Sequence, residues 1–215
     1  MSAAASPRPG RRGNDSDEVR ERILTAFSEK ARRSGTRSIV MGELAAELRM
    51  SATTLYKHFG SKDDIVTALV ERWAEDLAES QAAMPRDRKF DSAAEGLMHW
   101  AKAWSQKVSE YSPAFWDDIE RDHPEAFRIF EDEVGKWRRM GANLLRPSIR
   151  KDLHADTALA NLNLILDNAP RPEFCERLGV TRREAIETSI AIWARGALEN
   201  AGKLHPITTT HKKKR

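Results

Sequence analysis

Residues 39–64 read IVMGELAAELRMSATTLYKHFGSKDD, and the spacing of their apolar side chains decides the fold. Leu44, Ala45 and Leu48 recur as one helical face, and Leu55 and Phe59 as the next. The pattern predicts short helices over 42–48 and 52–59, joined by about four residues, a connection that suits two helices crossing steeply. What remains exposed is unusual for so short a stretch. Ser51, Thr53, Thr54, Tyr56, Lys57, His58 and Lys62 bring hydroxyls, a phenol, an imidazole and two ammoniums together within a dozen positions. Such groups bond phosphate oxygens and base edges. Ser51 also stands where it would cap the second helix, whose first N–H groups can face a phosphate.

Outward from this segment nearly everything keeps helical period. A first helix is expected from Asp15, with Glu18 as its capping-box partner, burying Val19, Ile23, Phe27 and Ala31 and ending at Gly35. Gly60 breaks the pattern, and Ser61 with Asp64 forms a second capping box. That box opens a long connecting helix with Ile65, Leu69, Trp73 and Leu77 on one face. Residues 84–91, MPRDRKFD, read as a loop. Phe90, Ala94, Leu97, Trp100 or Ala101, Trp104 and Val108 then recur at helical spacing. Pro113 and Pro124 bracket a short helix with Phe115, Trp116 and Ile119. Pro124 suits the first position of the next helix, whose seam would be Phe127, Phe130, Val134, Trp137, Gly141 and Leu144. Two further helices are expected at 156–168 and 182–201.

The chain is therefore expected to be all-α. A tail spans 1–14, a three-helix helix-turn-helix head 15–60, a further helical domain 61–205, and a basic tail 206–215. Arg8, Arg11 and Arg12 charge the first tail, and Lys212, Lys213, Lys214 and Arg215 the last. The net charge is only +3, so these cations are local rather than the mark of a polycation.

The stretch LYKHFGSKDDI, preceded by a short helix containing ELAAEL, resembles the signature of the tetracycline-repressor (TetR) family. The run AIWARGAL near the C-terminus is similar to that family's last helix. The resemblance implies a DNA-binding head, a long fourth helix and a variable helical domain. The protein would be a ligand-responsive transcriptional regulator, expected to act as a homodimeric repressor on a palindromic operator in double-stranded DNA. It also implies that Tyr56, His58 and Lys62 hold phosphates, while Ala52, Thr53, Thr54 and Lys57 face base edges. Three positions depart from the family pattern. Arg49 replaces the usual turn glycine, Val40 the usual capping hydroxyl, and Gly42 stands where some relatives place a base-contacting arginine.

Trp100, Trp104, Trp116, Phe127, Phe130 and Trp137 read by spacing alone as plain core. The resemblance instead implies that a pocket for a small apolar or amphipathic effector lies among them. Leu159, Leu162 and Leu166, with Ile186, Ile190, Trp193 and Ala197, offer apolar faces for a four-helix dimer interface. Closing the domain's own core is the alternative use.

Other function classes find little support. Glu120-x-x-His123 has the spacing of helix-borne di-iron ligands, but no second Glu-x-x-His occurs in the chain. The acidic run Asp117, Asp118, Glu120 and Asp122 reads as a solvated face. His99 follows Glu95 by four residues, again without a matching pair. No phosphate loop, nucleophile elbow or zinc spacing is present, so neither catalysis, cofactor nor metal is expected. The single cysteine, Cys175, excludes an intramolecular disulfide framework. With no long apolar run, a cytoplasmic protein without membrane contact is expected. Two rival readings stay open: a helical enzyme or small-molecule carrier whose N-terminal helices only pack, and an interaction adaptor with a degenerate head.

Overall fold

The computed structural model describes residues 11–82 and 90–201. Most of the loop expected at 84–91, and the basic residues Arg8 and Lys212 to Arg215, lie outside them. The described residues form ten α-helices and one 3-10 turn. No strand occurs among them, only an isolated antiparallel bridge between Ile149 and Leu198. They divide into two compact units, the first holding the residues through Asp76 with Ala114–Phe130, the second Leu77–Pro113 and the residues from Glu131. This division differs from the boundary expected after Gly60. The first unit also takes most of α4 (Lys62–Ala82), α6 (Pro113–Asp122) and the start of α7 (Pro124–Leu145).

In the first unit, α1 (Arg11–Ser34) buries Ile23, Leu24, Phe27 and Ala31. It begins four residues before Asp15, which is thus inside the helix and not its cap. Met41, Leu44 and Ala45 of α2 (Met41–Glu47), Leu55 of α3 (Ala52–His58) and Phe59 complete the core with Ile65, Leu69 and Trp73 of α4. Each large apolar side chain so buried is worth about 1.5–3 kcal/mol. The capping box at α4 forms as expected. Ser61 N donates to Asp64 Oδ2 at 3.1 Å, and Asp64 N to Ser61 Oγ at 3.1 Å.

The acidic run of α6 is not a plain solvated face. Asp118 is buried, and its Oδ2 accepts from Thr36 N at 2.7 Å, Arg37 N at 3.0 Å and the Thr36 hydroxyl at 3.3 Å. It thereby satisfies the backbone of the turn that leaves α1. Arg37 completes the contact with a two-pronged pair to Asp122, 2.5 and 2.8 Å long. His123 is also buried, with Nε2 3.1 Å from the Thr36 hydroxyl and Nδ1 2.7 Å from Asp63 Oδ1. Of the Glu120-x-x-His123 pair, His123 thus serves a hydrogen-bond relay between the α1 turn and α4, while Glu120 is exposed. Nearby, Trp116 packs edge-on against Trp73 and Phe115 at 5.3 and 5.1 Å and against Phe130 at 5.0 Å.

The second unit is organised around α10 (Arg182–Ala197), which packs mainly on α5 (Ala93–Val108) and next on α8 (Ala155–Asn168). Thr181 and Glu184 close a full capping box at its start. Ser105 donates to Glu187 at 3.2 Å, Arg182 to the Val108 carbonyl at 3.1 Å, and Trp193 Nε1 to the Ala158 carbonyl at 3.0 Å. On α5 the buried alternative is Ala101 rather than Trp100. On α7 it is Leu145, while Leu144 is 70% exposed.

Leu159, Leu162, Leu166, Ile186, Ile190, Trp193 and Ala197 are all buried within the single chain. Their expected place in a dimer interface is revised accordingly: they close the subunit's own core. The exposed apolar residues of the same helices are Leu164 and Ile192, at 60% and 65%.

Gly35 has φ +77, and a Cβ there would lie 2.5 Å from Asp118 Oδ2 and 3.1 Å from the Ala114 backbone. Gly35→Ala combines a left-handed backbone with a clash against a fixed carboxylate, and should cost about 2–4 kcal/mol. Asp118→Ala, which strands the buried Thr36 N–H and the part-buried Arg37 N–H, should cost a similar amount, about 2–4 kcal/mol. Thermal unfolding should show each as a fall in Tm of roughly 5–15 °C.

Candidate nucleic-acid interface and effector cavity

Four residues separate α2 from α3, and the turn is a Schellman motif. Met50 N donates to Ala45 O at 2.9 Å and Arg49 N to Ala46 O at 3.0 Å, with Arg49 in the left-handed region at φ 56. The same pattern ends α9 (Pro172–Leu178): Gly179, φ 65, donates to Glu176 O, and Val180 to Cys175 O. One motif thus holds the residue type its backbone favours, and the other an arginine. Val40 is the N-cap of α2 with no side-chain hydrogen bond, and it is 55% exposed. Gly42 is exposed, with nothing within 4 Å of a Cβ built there.

Ser51 caps α3 as expected, its Oγ accepting from Thr54 N at 3.0 Å and lying 2.8 Å from the Thr54 hydroxyl. That leaves Ala52, Thr53, Tyr56 and Lys57 as the exposed side chains of the helix. They recur at three- and four-residue spacing and so share one face. Thr53 offers a hydroxyl and a methyl, Tyr56 a phenol that is 43% exposed, and Lys57 three donors. Such a face can bond phosphates and base edges together.

His58 is half-buried, and its carbonyl, at the end of α3, accepts from Arg20 Nη1 at 2.7 Å. The Arg20 guanidinium also stands 3.9 Å over the Phe59 ring. Arg22 reaches the Leu48 carbonyl at 3.3 Å, and Lys30 pairs with Glu47 at 2.7 Å. Two arginines of α1 therefore place cations on the carbonyl ends of both α2 and α3, where the helix dipole favours them. Sequence reasoning missed this role. The signal was present as basic residues on the polar side of α1, but their targets are tertiary.

Lys62 differs from the other candidates. Its Nζ donates to the Ile39 carbonyl at 3.0 Å, and burial pulls its pKa below the ordinary lysine value despite the raising influence of Asp118, Asp63 and Asp122. Its ammonium is engaged inside the head rather than presented outward.

In the second unit a cavity of about 710 Å³ opens between α5, α7 and α8. Trp100 and Trp137 line it, with Phe90, Met140, Leu159 and Leu162 among the apolar walls. Trp104 stacks on Trp100 with ring centres 5.9 Å apart but is not part of the lining. Trp116, Phe127 and Phe130, grouped with these by spacing, belong to the aromatic cluster of the first unit. The pocket expectation thus splits between a cavity wall and packed core.

Residues 23–69 match the sequence model of bacterial regulatory proteins of the tetR family. The match places this helix-turn-helix segment with the tetR-family regulatory proteins. The fold of the chain is that of several solved structures. A putative transcriptional regulator from Saccharomonospora viridis in complex with choline is 18% identical, with 85% of this chain and 99% of that one covered and a TM-score of 0.68. A TetR-family regulator from Agrobacterium tumefaciens is 11% identical, with 86% and 100% covered and a TM-score of 0.65. A TetR regulator from Haloarcula marismortui is 17% identical, with 85% and 100% covered and a TM-score of 0.64. At these identities the likeness is one of fold. No curated protein matches the sequence. Among the described residues no helix is long and apolar enough to cross a membrane.

The tetR head carries two correctable local penalties. Arg49→Gly relieves the left-handed arginine, and Val40→Ser supplies the missing cap of α2. Each should stabilise the protein by about 1 kcal/mol, or roughly 2–4 °C in Tm by differential scanning fluorimetry.

Proposed function

We propose that the protein is a homodimeric, ligand-responsive repressor that binds a near-palindromic operator through α3 in the major groove. The observation that carries this reading is the exposed face of Thr53, Tyr56 and Lys57, set on a helix whose cap and carbonyl end are both fixed by the head. Lys57 donates to guanine acceptors, the threonine methyl meets thymine, and Tyr56 bonds a phosphate. Val40 and Gly42 supply no such groups on α2, so the sequence preference rests on α3.

Two further features support the finer statements. Leu164 and Ile192 are exposed apolar residues on neighbouring helices α8 and α10, and Gly196 adds an open position near the end of α10. Pairing these faces across a two-fold axis gives a four-helix interface of ordinary kind. Two heads so related meet half-sites about one turn, or ~34–36 Å, apart. The cavity of the second unit supports an effector role, as does the complex with choline of the Saccharomonospora viridis relative. α4 and α7 each contribute residues to both units, which gives effector binding two helices through which to bias the heads. Such coupling is worth about 1–3 kcal/mol in systems of this type.

Selection of bound fragments from a random duplex library tests the reading, with affinities then measured by fluorescence anisotropy. A palindromic site with half-sites one turn apart should emerge, and binding should weaken steeply with salt. Lys57→Ala should lose about 1–3 kcal/mol on that site and relax the preference at one base pair. Recovery of no specific site, or an unchanged affinity for both Lys57→Ala and Tyr56→Ala, would overturn it. For the dimer, Leu164→Glu with Ile192→Glu should convert the protein to a folded monomer in sedimentation velocity and abolish tight operator binding.

A further inference from the structure

We infer that the effector of the second-unit cavity is an amphipathic molecule with an extended apolar body and an anionic, carboxylate-type head held by Arg138, and not a quaternary ammonium. The inference rests on the reading of that cavity as an effector site, and it concerns which head group the cavity accepts. Among the described residues of the lining, Arg138 is the one side chain of fixed charge, and none is an aspartate or glutamate. Its guanidinium pairs with Asp167 on α8 through one Nη, while Nε is buried without a hydrogen-bond partner. Asp167 itself faces solvent, with 43% of its side chain exposed. A guanidinium has five N–H donors in a planar fork, so a second carboxylate can share it with the first. Asn163, also in the lining, adds an amide donor. The remaining walls are apolar: Leu159, Leu162 and Leu166 from α8, and Met140 and Leu145 from α7.

The charge of the lining argues against a cation. Trp100 and Trp137, with ring centroids 5.9 Å apart and planes tilted by 44°, pack on one another in the apolar wall. With no carboxylate among the described lining residues, a quaternary ammonium would be desolvated next to an arginine.

Isothermal titration calorimetry of the full chain without DNA tests this, using three probes that share one tail: dodecanoate, dodecanol and dodecyltrimethylammonium, all below micellar concentrations. Dodecanoate should bind at least about tenfold more tightly than dodecanol, and the ammonium should bind weakest. Arg138→Met keeps an unbranched apolar stem without the guanidinium and should erase the advantage of dodecanoate over dodecanol. Asp167→Asn, which frees the guanidinium, should instead tighten dodecanoate by about threefold or more without changing dodecanol. Equal or tighter binding of the ammonium, binding of none of the three, or the same dodecanoate preference in both variants would overturn the inference. Because the readout contains no DNA, a failed operator search would leave the head-group result standing. Conversely, an operator released by some other molecule, with no dodecanoate binding, would sink the head-group inference alone.

Discussion

The head depends on one buried carboxylate. Asp118 takes two backbone N–H groups and a hydroxyl from the turn that follows α1, so α6 supplies the hydrogen bonds that the α1–α2 connection cannot make for itself. A buried acceptor with three donors is strongly favoured over a carboxylate in an apolar setting, and it tolerates little displacement. Gly35 follows directly from this constraint. The carboxylate approaches the backbone so closely that no Cβ fits, and the left-handed turn would disfavour one anyway. His123 extends the relay from Thr36 to Asp63 at the start of α4, tying the turn after α1 and the helix after α3 to one short segment, residues 118–123.

That relay explains why the compact unit is larger than the three-helix head. A boundary placed after Gly60 follows the helix-turn-helix pattern, which is local and visible in spacing. The contributions of α6 and the start of α7 are not local. Asp118 and Asp122 sit in a run of acids whose simplest reading is a solvated face, and nothing in the run itself distinguishes the one buried member. The aromatic residues behave similarly. Their helical spacing was legible, yet which ones pack with Trp73 and which line the cavity is set by tertiary placement alone.

Elsewhere the sequence was transparent wherever the signal was a period or a cap. The helix-turn-helix, the capping box of Ser61 and Asp64, and the helix started by Pro124 all fall where spacing and end chemistry put them. The apolar faces of α8 and α10 were also legible as faces, but not their direction. A helix that packs on neighbours from two sides has more than one apolar stripe, and spacing cannot say which stripe meets the subunit's own core. Burial resolves it, leaving Leu164 and Ile192 outward. Lys62 is a comparable case, since a lysine in a polar run reads as solvated until the carbonyl it serves is seen.

The same logic identifies α2 as the element least able to hold itself. It has seven residues, an uncapped start at Val40, a glycine at its second position and a left-handed arginine just past its end. These features each disfavour the helix by about 1 kcal/mol, and a helix so short is already below the length at which propensity sustains it. Its position is therefore set from outside. Met41, Leu44 and Ala45 are buried in the core, Arg22 bonds its terminal carbonyl at Leu48, and Lys30 pairs with Glu47. Both of those cations belong to α1, and the turn that ends α1 is the one Asp118 holds. The helix-turn-helix is thus aligned by a chain of contacts: Asp118 fixes the turn, α1 spans the head, and its arginines position the ends of α2 and α3. A change at α6 need not touch the helix-turn-helix to move it, because α2 has little intrinsic stability with which to resist.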